Sequence, residues 1–145
     1  MIFVTVGTIH FDELVKAVDG LAGKSKERFV IQLGTGKYIP KNCEWFRLKP
    51  SLSEFYSKCS LVITHGGAGT LFECLNAGVR TIAIPNPNAK DAHQLDLLSE
   101  LARRNYIITC DLADLKRAIM SKVKLRKYIR PKCEIGREIK EFLNE

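Results

Sequence analysis

The segment His65-Gly66-Gly67-Ala68-Gly69-Thr70 has the residue types and spacing to hold an anion. It follows the apolar run Leu61-Val-Ile-Thr64 and precedes Leu71, Phe72 and Leu75, so it reads as a turn from a strand into a helix. Glycines there let the backbone approach a ligand closely, and the first N–H groups of a helix point outward unpaired. Thr70 adds a hydroxyl donor. The same residues also suit a tight βα turn with no ligand, because short glycine motifs are common. Two better-known phosphate motifs are excluded. No Gly-Lys-Ser/Thr follows the turn, and the first apolar run ends in Gly7-Thr8-Ile9, which lacks the GxGxxG spacing of dinucleotide sites.

The elements that must position this turn alternate along the chain. Ile2–Val6 is a β-branched run free of charge, suited to a strand buried on both faces. Phe11, Leu14, Val15, Val18 and Ala22 recur at helical spacing. Further strands are expected at Arg28–Leu33, Trp45–Leu48, Leu61–Thr64, Arg80–Ile84 and Tyr106–Thr109. Ser51-Leu-Ser-Glu54 has the capping-box pattern and opens a helix with Leu52, Phe55, Tyr56 and Cys59 on its apolar face. Gly78 is placed to end the helix after the glycine turn. Leu95, Leu98, Leu101 and Ala102 mark another helix, and Asp111 can cap one carrying Leu112, Leu115 and Ile119. Ile135, Ile139, Phe142 and Leu143 make the stripe of a terminal helix.

Such alternation predicts an α/β fold: one doubly wound, mostly parallel, six-stranded Rossmann-like sheet. Residues 1–145 then form a single domain, with 122–145 a basic, amphipathic helical segment. In this architecture ligands lie beyond the carboxyl ends of the strands, near the point where strand order reverses. That selects the loops at Gly7-Thr8, Gly34-Thr35-Gly36, Lys49-Pro50, His65–Thr70 and Pro85–Gln94.

Composition narrows the function classes. A chain of 145 residues, 46% hydrophobic, supports one domain with a core. Five scattered cysteines (43, 59, 74, 110 and 133) without a CxxC pair fit a reducing compartment and argue against a disulfide frame or zinc site. No signal-peptide layout and no membrane-length apolar run is present, so a soluble, cytoplasmic protein is expected. The net charge of +7 gathers at Lys122, Lys124, Arg126, Lys127, Arg130 and Lys132. This run is readable as a solvated helix face, as a docking patch for anionic membrane or a partner, or as a nucleic-acid patch. The last ranks lowest because only Tyr128 offers base stacking, and no nucleic-acid partner is expected.

Val4-Thr-Val-Gly-Thr8 with Phe11-Asp12 soon after, the His65–Thr70 turn, Glu73, and His93-Gln94 together resemble family 28 glycosyltransferases. The likeness is to the donor-binding C-terminal half of the GT-B fold, over about residues 1–120. It is strongest for short stand-alone forms: the cytosolic catalytic subunit of the UDP-GlcNAc transferase for dolichyl-diphosphate-GlcNAc, and bacterial capsule and exopolysaccharide relatives. The resemblance implies a UDP-sugar donor pocket. Gly7, Thr8, His65, Gly66, Gly67, Ala68, Gly69 and Thr70 would hold the diphosphate. Glu73 would accept hydrogen bonds from the ribose hydroxyls, as a two-oxygen acceptor can; otherwise it is a first-turn glutamate favouring the helix dipole. His93 and Gln94 would hold the sugar, or else they simply begin an exposed helix. Backbone near Leu48–Pro50 would read the uracil edge.

His65 can donate to a phosphate, act as a base or pack; the resemblance favours stabilising the leaving UDP. His10 is a second candidate base, although it departs from the small or polar residue expected there. The catalytic residue is therefore left unassigned. The resemblance further implies inverting transfer, GlcNAc as the favoured sugar, and a lipid-diphosphate-linked acceptor. A separate membrane-anchored subunit would carry that acceptor, recruit this chain and supply the base, with the terminal helix either a docking element or simply packed on its own sheet. No cofactor is expected. The DxD metal signature of the other large transferase fold is absent, so no metal site is expected in this chain. The competing class is a UDP-sugar-binding regulatory module without transferase activity. An epimerase would need the missing dinucleotide fingerprint.

Overall fold

The computed structural model describes residues 1–87 and 92–129. Six strands form one sheet: β1 (Ile2–Thr5), β2 (Phe29–Gln32), β3 (Glu44–Phe46), β4 (Leu61–Thr64), β5 (Thr81–Ala83) and β6 (Ile108–Thr109). Their spatial order is β3-β2-β1-β4-β5-β6, and every neighbouring pair is parallel. The order reverses between β1 and β4, which places the ligand crevice of a doubly wound sheet at their carboxyl ends.

The register explains the burial. Val4 lies opposite Ile31 on β2 and Ile63 on β4, and Ile63 lies opposite Ile82. All four are fully buried, as central parallel strands require. Strand alternation sends Ile2, Val4 and Val6 to one face and Phe3 to the other. The first face is covered by α1 (Asp12–Ala22), whose Phe11, Leu14, Val15, Val18 and Ala22 stripe is buried as expected, and by α5 (Leu115–Met120). The second face carries α2 (Ser53–Lys58), α3 (Ala68–Ala77) and α4 (Ala92–Arg103).

Several boundaries differ from expectation. β3 covers Glu44–Phe46 instead of Trp45–Leu48, which frees Leu48–Pro50 as a loop. β6 is Ile108–Thr109, because Tyr106 and Ile107 pack into the α3–α4 cluster before the strand begins. Leu52, not Ser51, is the cap residue of α2; Ser51 Oγ instead accepts the Ser53 N–H at 3.2 Å, a local turn. Asp111 makes no side-chain cap, and a 3₁₀ turn (Leu112–Asp114) leads into α5. The buried stripe of α4 is Leu97, Leu98 and Leu101, while Leu95 is exposed. Gly78 does end α3, in the left-handed conformation with φ +69°.

Residues 121–129 have no regular secondary structure, so the segment expected to be helical from Lys122 is not helical here. It is strapped back across the domain instead. Arg80 donates to the carbonyls of Ser121 and Val123, Arg126 N–H bonds to Asn105 O, and Tyr128 packs edge-on against Tyr106. These tertiary bonds replace the intrahelical ones. The stripe Ile135, Ile139, Phe142 and Leu143 lies outside the described residues.

Candidate functional site

Parallel strands bring the loops after β1, β3 and β4 to the carboxyl end of the sheet. There a cleft of about 710 Å³ opens, walled by Gly7 and Thr8, by Leu48 to Ser53, by Tyr56 and Ser57 of α2, and by Thr70, Glu73, Asn76 and Ala77 of α3. This volume falls in the usual range for small-molecule sites, about 300–1,000 Å³. The α3 residues share one face of the helix, three or four positions apart.

α3 begins at Gly67 without a side-chain cap and with no acidic residue in its first turn. Its first internal bond is Leu71 N–H to Gly67 O at 3.0 Å, so the amides of Ala68, Gly69 and Thr70 precede the ladder. The positive end of the helix dipole is left uncompensated, a field worth about 0.3–1 kcal/mol at an exposed site and up to ~2 when partly buried. That end is suited to a diphosphate.

The loop after β1 is held from below and from both sides. Thr5 Oγ1 donates to Gln32 Oε1 across the strand pair and accepts the Gly7 N–H at 3.2 Å. Thr35 N–H bonds to Ile9 O, and buried Asn86 donates to His10 O at 3.0 Å. The Gly34-Thr35-Gly36 loop is a buttress: a Cβ on Gly34 would lie 2.1 Å from Ile9 O, and one on Gly36 would lie 2.7 Å from Asp12 Oδ1. None of its three residues walls the cleft.

His65 stands behind the turn. It is 7% exposed, its Nδ1 is 3.2 Å from Thr64 Oγ1, and its ring is enclosed by two glycines. A Cβ on Gly7 would lie 2.9 Å from Cε1, and one on Gly67 would lie 2.6 Å from Nε2. Burial pushes the imidazole pKa below its ordinary value, and a hydrogen bond to the Thr5 backbone opposes this only in part. Burial thus disfavours the charged imidazolium in the ligand-free domain, and the ring shapes the backbone around it. Gly66 adopts φ +89° and faces Leu98 of α4, which seats the turn against that helix.

The structure brings Gly7, Thr8, Thr70 and Glu73 to one cleft; Gly66–Gly69 precede Thr70 in the turn into α3 and, like His65, are not among the residues walling it. His93 and Gln94 are not among the residues walling the cleft. They lie in the first turn of α4, one turn before the Leu98 contact with Gly66. His10 lies in the loop after β1 and also does not wall it. Part of the Pro85–Gln94 loop lies outside the described residues.

Tyr56, Asn76 and the serines 51, 53 and 57 are not site residues by sequence, yet all wall the cleft. Asn76 could have been found by extending the Thr70–Glu73 face of α3 one turn. Tyr56 reads as an apolar-stripe residue, and only its hydroxyl, 3.0 Å from Glu73 Oε2, shows its second role.

The model of the glycosyltransferase family 28 C-terminal domain matches residues 1–140. The chain belongs to this family. The UDP-N-acetylglucosamine transferase subunit ALG13 of Homo sapiens is 32% identical over 122 residues, covering 75% of this chain and 11% of that protein. The chain thus spans about a tenth of the length of that relative. A bacterial relative, the UDP-N-acetylglucosamine–N-acetylmuramyl-(pentapeptide) pyrophosphoryl-undecaprenol N-acetylglucosamine transferase of Pelagibacter ubique, is 36% identical over 100 residues. That match covers 62% of this chain and 28% of the relative. The solution structure of ALG13 superimposes with a TM-score of 0.67 over 99% of this chain and 96% of that one, at 18% identity. MurG of Acinetobacter baumannii superimposes with a TM-score of 0.69 over 97% of this chain and 49% of that one, at 19% identity. Both show the fold: the family 28 domain here is a GT-B half with an all-parallel Rossmann-like sheet.

Proposed function

We propose that this chain is the donor-binding subunit of an inverting glycosyltransferase. It moves GlcNAc from UDP-GlcNAc to a lipid-diphosphate-linked acceptor presented by a separate, membrane-anchored subunit. The observation that carries this reading is the single cleft that joins the carboxylate of Glu73, the open amino end of α3 at Thr70 and the polar-backbone loop Leu48–Pro50. A nucleoside diphosphate offers a matching set: a base edge, vicinal ribose hydroxyls and two phosphates. The donor named for the ALG13 relatives supports UDP-GlcNAc.

In this reading uracil meets the backbone of Leu48–Pro50, Glu73 accepts from the ribose hydroxyls, and the diphosphate lies against Gly7–Thr8 and the turn Gly66–Thr70. The sugar then extends toward His93 and Gln94 at the start of α4. The acceptor hydroxyl attacks the anomeric carbon, the bond to the diphosphate oxygen breaks, and UDP leaves with the electron pair. Fixed N–H dipoles at α3 stabilise that developing charge. The proton passes to a base in the acceptor-binding subunit. Among the described residues no helix is long and apolar enough to cross a membrane, so membrane contact in this reading comes through the partner.

Calorimetry of the full chain against UDP, UDP-GlcNAc, UDP-glucose and UDP-galactose tests the donor site. UDP-GlcNAc binding is expected to be tighter than about 1 mM, roughly −4 kcal/mol, and no binding below that limit by any of the four would overturn the reading. The chain reconstituted with its partner should transfer GlcNAc in excess EDTA. Donor binding without turnover in any partner complex would favour a regulatory UDP-sugar-binding module instead.

A further inference from the structure

Glu73 does not stand alone at the cleft. Tyr56 of α2 donates its hydroxyl hydrogen to Glu73 Oε2 at 3.0 Å, across the α2–α3 contact. Tyr56 is 6% exposed, and its ring is fixed by the core: it meets Phe3 edge-on at 5.9 Å, and Phe3 stacks on Phe55 at 4.7 Å. Burial raises the phenol pKa, so the hydroxyl stays protonated and faces the carboxylate as a donor. A carboxylate accepts about four hydrogen bonds, so one from Tyr56 leaves Oε1 and part of Oε2 for a ligand.

We infer that Tyr56 is a positioning residue for donor recognition: it locks the Glu73 carboxylate in the orientation that receives the two vicinal ribose hydroxyls. This rests on the donor-site reading above. Without this bond an exposed glutamate on a helix surface samples several rotamers, and the ligand must order it on binding. A phenol anchored in the core supplies that order beforehand, as outer hydrogen-bond partners do for metal ligands.

The test measures binding of UDP, 2′,3′-dideoxy-UDP and pyrophosphate to four full-length chains: wild type, Tyr56→Phe, Glu73→Gln and the double variant. Tyr56→Phe keeps the ring and its packing, and a thermal melt checks that each chain is folded. Tyr56→Phe is expected to weaken UDP about tenfold, the lower edge for a bond to a charged group, while dideoxy-UDP and pyrophosphate change less than about twofold. In the Glu73→Gln background the same change should have little further effect on UDP. A Tyr56→Phe chain that weakens all three ligands alike, or none, overturns the inference. So does a full additive loss in the double variant. If wild type itself binds UDP and dideoxy-UDP equally, the ribose role of Glu73 falls first, which separates failure of the site reading from failure of the Tyr56 coupling.

Discussion

The imidazole of His65 occupies the space that a side chain on Gly67 would need, with Nε2 2.6 Å from the position of a Cβ there. The motif's histidine and its second glycine are therefore one steric unit. Gly7 lies beside the same ring atoms, where a Cβ would be 2.9 Å from Cε1 and 3.0 Å from Nε2.

Gly67→Ala should accordingly destabilise the domain by about 1–3 kcal/mol, the usual cost of overpacking a rigid site. UDP binding should weaken with it, because the start of α3 shifts. Urea denaturation of Gly67→Ala, His65→Ala and the double variant measures the coupling. A double variant whose loss equals the sum of the single losses would contradict this steric pairing.

His65 also sets a pH dependence. Its folded pKa is depressed by burial, so near and below the ordinary value of 6.5 the unfolded chain binds a proton that the folded chain refuses. The unfolded state then holds more protons, and stability rises with pH in that window. The contribution is complete above about pH 6.5 and is lost as pH falls from there through the folded value. Stability measured from about pH 7.5 down to 5 should fall more steeply for wild type than for His65→Gln.

Gly69 separates stability from function. It is exposed in the first turn of α3, and a Cβ there meets nothing within 4 Å. Gly69→Ala should stabilise the free domain by roughly 0.5–1 kcal/mol by restricting the unfolded chain. The same methyl group stands where a diphosphate would approach the α3 amides, so UDP binding should weaken severalfold. Unchanged affinity in calorimetry would show that the anion does not use this turn.

Asp19 is a structural carboxylate remote from the cleft. Buried in α1, it accepts from Tyr38 Oη at 2.7 Å, Asn42 N at 2.7 Å and Lys41 N at 3.1 Å. Burial works to raise its pKa, yet hydrogen bonds from Tyr38, Asn42 and Lys41 hold it below the ordinary 3.8. Stability from this group is present at neutral pH and lost as pH falls through its folded value. Asp19→Asn should cost about 2–3 kcal/mol at pH 7, since an amide cannot accept all these bonds. The difference from wild type should shrink in acid, as two-state denaturation at pH 7 and pH 3 would register.

Chain-local patterning determined the architecture. Charge-free β-branched runs such as Ile2–Val6 and Leu61–Thr64, alternating with 3.6-period stripes such as Phe11 to Ala22, identify strands and helices and demand a parallel sheet. The placement of the glycine turn before α3, of Glu73 on α3 and of Gly78 at its end was also legible, because it depends on backbone conformation and helix position near them in sequence. Other features needed the tertiary structure. Leu95 and Leu97 are both leucines, but only the packed sheet decided which is buried. Lys122–Ile129 has a helix-compatible composition, yet Arg80, Asn105 and Tyr106 give its backbone and side chains partners across the fold. By sequence His65 could donate to a phosphate, act as a base or pack, and only the fold, which brings Gly7 beside its ring, buries it. Tyr56 reached Glu73 only once α2 and α3 were laid side by side. Desolvation and side-chain contact depend on what lies nearby in space, and a one-dimensional pattern carries that only for residues a turn or two apart.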